Sequence, residues 1–392
     1  MLSVAIPAAL AALTALSFAS WLAIRLLPSR PWDMTPYAED LPTQPNPPSW
    51  PAVAVLVPAR NEADSLPSTL PALLDQEYPG DIRVIVVDDR STDRTAAVAR
   101  SLDSGSGRLT VVSGKPLPQG WVGKVWALEQ GARAAGDASD YLLLTDADIL
   151  HGPESLRDLV AESAAEGLAL NSRMARLRCQ SPAERLLIPP FLFLFNLLYP
   201  MRLVNDPRSR VFAAAGGCVL VRRDALERAG GLEAISGAVI DDINLARIVK
   251  RLGEPIRLAV SRGDVASVRE YGTVGPIWRM VRRSAFDQLR YSWLLLAGTL
   301  LALGLLFPLP PLIAIAGPVL GATGIVSTPW ALALEALGLA SWLMASMVFL
   351  PTVRFFGLAP SWALTLPVGG TLYGGMTLDS AWQHVRHRDG WT

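Results

Sequence analysis

The chain has 392 residues, of which 51% are hydrophobic and 18% charged, and its 35 basic and 35 acidic side chains leave a formal charge of zero. That length holds one large domain or two ordinary ones. The composition is apolar for a soluble enzyme, and the zero charge removes any electrostatic case for nucleic acid. Cys179 and Cys218 are isolated, without metal-type spacing, and fit a reducing compartment with no disulfide framework. His151, His384 and His387 form no ligand cluster, so a metal, if used, is expected on oxygen.

Residues 2–24 carry no charge and are followed by Arg25 and Arg30. About 20 apolar residues span a bilayer, so 1–27 reads as an uncleaved anchor with its C-terminal side in the cytoplasm. A signal peptide is the rival reading, but a basic start and a small-residue cleavage site are lacking. Residues 28–51 hold eight prolines and read as a stiff linker.

Strand and helix then alternate. Apolar runs at 53–57, 82–87, 109–113 and 141–145 read as strands, with helices at 62–76, 92–102 and 124–135 between them. A polar Ser-Gly-rich loop lies around Ser104, and a Gly/Pro-rich loop covers 114–123. Continuous apolar strands separated by helices imply a mostly parallel sheet covered on both faces, an α/β fold. No Gly-x-Gly-x-x-Gly follows the first strand, which argues against an NAD-type fold. Further on, 168–178 alternates as a strand, 216–221 reads as loop and strand, and 240–252 as helix. Residues 186–198 are apolar but hold Pro189 and Pro190 between Arg185 and Arg202. They read as part of an interfacial segment, 185–204, with a buried helix as the alternative. Membrane spans are expected near 294–316, 330–350 and 360–380, the first broken by Pro308, Pro310 and Pro311. Four spans with an external N-terminus place the tail outside, yet His384, Arg386, His387 and Arg388 make it basic, against the positive-inside rule. The expected organisation is therefore an anchor (1–27), a linker (28–51), a sheet domain (52–290) and a C-terminal membrane region (291–392).

Four motifs fall where a parallel sheet gathers ligands, at the carboxyl ends of its strands. Pro58-Ala59-Arg60-Asn61-Glu62 ends the first strand and Asp88-Asp89 the second, followed by Arg90-Ser91-Thr92-Asp93. Thr145-Asp146-Ala147-Asp148 ends the fourth, and Asp241-Asp242 opens a later helix. Asp146 and Asp148, two apart, point to one face of an extended backbone. Two like charges so close favour a divalent cation between them, and such a cation would hold a diphosphate. The bland alternatives are turn-forming aspartates and an ordinary helix cap at Ser91–Thr92.

In this motif order, with Gly216-Gly217 before the last pair, the chain resembles the membrane-bound glycosyltransferases of family 2, over about residues 53–292. The anchor, Gly120-Trp121-Val122-Gly123-Lys124-Val125-Trp126-Ala127 and the hydrophobic C-terminal region look like the hopene-associated members, and more distantly like ceramide glucosyltransferases. The resemblance implies a GT-A nucleotide-sugar-binding fold in the inner membrane with its sheet domain in the cytoplasm. It implies that Pro58, Arg60, Glu62, Asp88 and Asp89 meet the nucleotide of a UDP-sugar, with Asp89 on the uracil. Asp146 and Asp148 would hold Mg2+ or Mn2+, Asp242 would be the base, and Gly216, Gly217 and Asp241 would border the acceptor. Lys124 either adds charge near the phosphates or is a solvated lysine at a helix start. Processive synthases of the family carry Gln-x-x-Arg-Trp, whereas here Trp278-Arg279-Met280-Val281-Arg282-Arg283 stands. Arg282 and Arg283 either meet the diphosphate or face anionic headgroups. The expected partners are a nucleotide-sugar, the bilayer and a lipid acceptor such as a hopanoid, with ceramide, diacylglycerol or a polyprenyl phosphate as alternatives. A non-catalytic membrane scaffold is the reading from another class.

Overall fold

The computed structural model describes residues 2–38, 45–103 and 105–387. Residues 39–44 of the expected linker, Ser104 and the tail from Arg388 lie outside the described residues. The chain divides into two compact units. One contains the strands and comprises Pro36–Arg178 and Met201–Glu270; the other contains the long apolar helices and comprises Met1–Thr35, Cys179–Pro200 and the chain from Tyr271 onward. Residues 179–200 and 271–290, expected with the sheet, thus fall in the helical unit.

The strands are β1 (Val53–Ala59), β2 (Ile82–Asp88), β3 (Leu109–Ser113), β4 (Tyr141–Thr145), β5 (Ile149–His151), β6 (Leu170–Met174), β7 (Cys218–Arg222), β8 (Ile256–Val260) and β9 (Val265–Ser267). Seven form one sheet in the order β3-β2-β1-β4-β7-β6-β8, while β5 and β9 pair separately. β1 to β4 run parallel, and the apolar runs of β1, β4 and most of β2 are buried on both faces. Val55, Val57, Val84, Val86 and Leu143 pack with Leu66 and Leu70 of the helix Leu66–Leu74 and with Leu156 and Val160 of the helix Ser155–Glu166. The chain turns from one side of β1 to the other between β3 and β4, which makes the β1/β4 edge the switch point where α/β sheets bind ligands.

Three departures from the expected pattern shape that edge. β7 is antiparallel to both β4 and β6, so it begins where β4 ends, with Thr145 opposite Cys218. The helices expected at 62 and 92 start only at Leu66 and Thr95. Asn61 and Arg90 instead take left-handed backbone conformations, and their two turns are stitched together. Asn61 N–H donates to Ser91 Oγ at 3.0 Å, and Asn61 Oδ1 accepts from Thr92 N–H at 2.8 Å. Finally, β5 and β9 are three-residue strands with no detectable period of their own.

In the helical unit, Ala5–Leu26 and Thr328–Phe355 are long and apolar enough to cross a membrane. The span expected at 294–316 is a bent pair, Trp293–Leu306 and Leu309–Ala322, meeting at 47°. The bend falls at Phe307-Pro308, while Pro310 and Pro311 sit in the first turn of the second helix, where a missing N–H costs nothing. The segment expected to span at 360–380 is instead a 3-10 turn, Pro360–Thr365, and a helix, Leu366–His387, that falls short of a span in apolarity; Asp379 lies in that helix. The count among the described residues is two spans, or three if the bent pair is one.

Pro182–Leu198 is one unbroken helix despite Pro189 and Pro190, with Leu187, Ile188 and Phe193 buried inside the helical unit. Phe193 stacks on Trp21 and meets Phe349 edge-on, and Trp21 meets Phe307. Its start is a capping box, and the buried Glu184 carboxylate takes N–H groups from two segments. These are Gln180 and Ser181 at 2.9 Å, and Tyr271 and Gly272 at 3.1 and 3.2 Å. Gly370 lets Leu366–His387 lie against the Phe307 ring, since a Cβ there would stand 2.2 Å from Phe307 Cγ. Gly370→Ala is therefore expected to destabilise the helical unit by about 1–3 kcal/mol through overpacking. A thermal melt in detergent checks this; an unchanged midpoint would mean that the ring moves aside freely.

Candidate active site

The carboxyl ends of β1, β2 and β4 deliver three of the motifs, and β7 brings Gly216-Gly217 to the same edge. Thr145 fixes that junction: its Oγ1 donates to the Gly217 carbonyl at 2.8 Å and contacts His151 Nε2 at 2.8 Å. Burial pushes His151 down to about 4, so the imidazole stays neutral and acts as a strut rather than a proton carrier.

A small cleft is lined by Lys124, Thr145, Asp146, Gly216, Asp241 and Asp242. Lys124 starts the helix Gly123–Ala135 beside this cleft. Its Nζ lies 2.7 Å from Asp146 Oδ1 and 3.2 Å from Asp241 Oδ2, which overturns the solvated-lysine alternative. Burial alone would lower its pKa, yet the Asp146 and Asp241 carboxylates outweigh that and raise it. Asp146 in turn is raised by burial, against the opposing pull of Lys124.

Asp241 and Asp242 open the helix Asp241–Arg251 and, about 100° apart around it, serve different partners. Asp241 faces Lys124, whereas Asp242 Oδ2 accepts the Gly216 N–H at 2.7 Å and Oδ1 its neighbour Ile243 N–H at 2.7 Å. The helix N-terminus favours ionised carboxylates, but here burial and then Asp241 dominate and push Asp242 up to about 7. Gly216 leaves little room for a side chain: a Cβ would stand 3.1 Å from Lys124 Nζ and 3.3 Å from Asp242 Oδ2, so both would have to give by a few tenths of an ångström. Gly216→Ala is thus expected to displace both side chains and cut turnover by about tenfold or more while the fold persists. Steady-state kinetics beside a thermal melt check this, and wild-type turnover would show that the loop yields.

At the nucleotide end, Asp89 is buried, and burial raises its pKa against Arg60, whose Nη1 lies 3.9 Å away. Asp88 Oδ1 accepts the Ser91 N–H at 3.3 Å, and Pro58 sits in β1 opposite Val87. Glu62 and Asp148 are joined by a residue that the sequence did not single out. Arg269 Nε lies 2.8 Å from Asp148 Oδ2, and its Nη2 2.8 Å from Glu62 Oε1. Arg282 and Arg283 belong to the helical unit, where Arg282 Nη1 reaches Asp379 Oδ2 at 3.5 Å and Trp278 Nε1 donates to the same oxygen at 2.7 Å.

Among the described residues, no three His, Cys, Asp or Glu side chains gather closely enough to enclose a metal. A Mg2+ or Mn2+ ion nonetheless needs only one or two carboxylates when a diphosphate and water complete its shell. Asp146 and Asp148 fit that role, each already holding a positive group of the chain, Lys124 or Arg269.

The mostly parallel sheet, with paired aspartates at its carboxyl edge, is that of the GT-A fold. A mannosyltransferase from Pyrobaculum calidifontis, solved with GDP-Man and Mn2+, shares this fold with a TM-score of 0.57 at 21% identity, over 97% of this chain and 100% of that one. Residues 54–230, just under half of the chain, match the family described as Glycosyl transferase family 2. An N-acetylglucosaminyltransferase of Mesorhizobium japonicum is 31% identical over 192 residues, 47% of this chain and 43% of that protein. A 4,4'-diaponeurosporenoate glycosyltransferase of Staphylococcus haemolyticus is 33% identical over 114 residues, 29% and 28% of the two chains. The chain thus spans less than half the length of these curated relatives.

Proposed function

We propose that this protein is an inverting, metal-dependent glycosyltransferase that moves one sugar from a UDP-sugar to the hydroxyl of a membrane lipid, with a hopanoid as the favoured acceptor. The observation that carries the reading is Asp242: a half-buried carboxylate, pushed up to about 7 by burial and by Asp241, in one cleft with Asp146 and Lys124. A lipid alcohol is a poor nucleophile until its proton is accepted in the transition state, and a base poised near the working pH is suited to take it. Asp242 takes that proton while the Gly216 N–H holds its carboxylate in place. Lys124 offsets the charge that builds at the diphosphate. A bound Mg2+ or Mn2+ on Asp146 and Asp148 would supply further charge for the leaving diphosphate. One base opposite one leaving group gives direct displacement, hence inversion at the anomeric carbon.

The lipid acceptor is supported by the apolar helices Ala5–Leu26 and Thr328–Phe355. Reading the bent pair as one span puts the sheet unit, Arg25, Arg354 and Arg386 all on the cytoplasmic side, as the positive-inside rule favours. Ser106, exposed in the Ser-Gly-rich loop, tests this in a chain whose Cys179 and Cys218 are replaced by alanine. Ser106→Cys should resist an impermeant thiol reagent in intact cells, and ready labelling would reverse the orientation. The function itself is tested by a screen of UDP- and GDP-sugars against extracted membrane lipids, reading nucleotide release, product mass and anomeric configuration. A product with the donor's own anomeric configuration, or no sugar transfer to any lipid, would sink the proposal.

A further inference from the structure

Asp148 meets its counter-charge through a small structural device. β5 and β9 pair antiparallel with Ile149 opposite Ser267, and one step outward the Val268 N–H donates to the Asp148 carbonyl at 2.9 Å. That register sets the backbone of Arg269 beside Asp148. The guanidinium then bridges Asp148 Oδ2 and Glu62 Oε1, 2.8 Å from each. Ser267 Oγ adds a bond to the same Asp148 oxygen at 3.2 Å, and Ser65 Oγ holds the other Glu62 oxygen at 2.8 Å. The backbone is pinned, whereas the Arg269 side chain is 48% exposed and can swing outward.

A guanidinium and a divalent cation cannot share Asp148 comfortably, because the two positive charges repel at such range. A diphosphate alters that balance. It offers the planar fork of an arginine paired oxygens that match it better than one carboxylate oxygen does. We propose, resting on the metal-dependent donor reading above, that Arg269 is a positioning residue that keeps Asp148 closed to the metal until a nucleoside diphosphate arrives and draws the guanidinium onto its phosphates. Metal and nucleotide then enter together, and the nucleotide-free protein holds metal poorly. Without such a device the acidic cleft would collect divalent cations at rest.

The test is Mn2+ binding by the full chain in detergent, read from the electron paramagnetic resonance signal of free Mn2+, with and without UDP or GDP. For the wild type, nucleotide should tighten Mn2+ by about tenfold or more. Arg269→Met should bind Mn2+ about tenfold tighter than wild type without nucleotide, and lose most of the further gain on adding it. Arg269→Lys keeps a positive charge and should keep Mn2+ excluded, whereas a merely structural role would shift melting midpoints and leave all these affinities alike. The inference is overturned if Arg269→Met binds Mn2+ no tighter than wild type, or if wild-type Mn2+ affinity ignores nucleotide. Should wild type bind no Mn2+ even with UDP or GDP, the metal-dependent reading falls and takes this inference with it. If nucleotide binding needs Mn2+ but Arg269→Met behaves as wild type, only the inference fails.

Discussion

Asp242→Asn is expected to lower turnover with a lipid alcohol acceptor by about 10²-fold or more while UDP affinity stays at the wild-type level. Asparagine preserves the size and can still accept the Gly216 N–H, which Asp242 takes at 2.7 Å, so the loop keeps its place. What is lost is the ability to take a proton. Asp241→Asn should be milder, because Asp241 pairs with Lys124 at 3.2 Å and is not the proposed base. The pH profile carries the same signature. Burial and then Asp241 push Asp242 up to about 7, and the proposed base works only when ionised. Turnover should therefore rise as pH increases through about 7, and fall about tenfold per unit below it. The residual rate of Asp242→Asn should lose that dependence. Stability gives an independent sign: a carboxyl whose folded pKa lies above its unfolded value makes the fold less stable as pH rises between the two. Removing it should thus raise the melting midpoint at alkaline pH. Near-full turnover in Asp242→Asn would place the base elsewhere.

Asp148→Asn should weaken metal-dependent UDP binding by about 100-fold or more while leaving the sheet folded. The side chain stands past the end of β4, bonded to Ser267 and Arg269 rather than packed in the strand core, and the Ser267 contact is one that an amide can also make. UDP titrations with Mn2+ and with EDTA, run beside a melt, check this. Wild-type UDP affinity in EDTA would remove the metal from the reaction altogether.

The motif-bearing edge was legible because it rests on local signals. An apolar run, interrupted in β2 only by Arg83, followed by an aspartate pair, marks β2 and β4 in either neighbour's absence. What was not legible depends on partners remote in sequence. The direction of β7 is set by where the chain returns, and nothing in Cys218–Arg222 encodes it. Arg269 meets Asp148 across 121 residues through two three-residue strands, too short for any periodic signal. Lys124 could be read as solvated until Asp146 and Asp241 were seen on either side of it. In the helical unit, hydropathy alone marks Thr328–Phe355, whereas the apolar stretch at 360–380 reads as a span only until the polar content of the helix Leu366–His387, Asp379 included, is counted.

The sheet unit and the helical unit are interleaved along the chain. The sheet unit is drawn from two stretches, with Cys179–Pro200 running through the helical unit between them. Trimming the ends of the gene to free a water-soluble enzyme would leave that insert behind. Phe193 would be stripped of Trp21 and Phe349, presenting a bare aromatic face to water. Glu184 would lose whichever of its four N–H donors the cut disordered. Purification of an active fragment by truncation should therefore fail by aggregation.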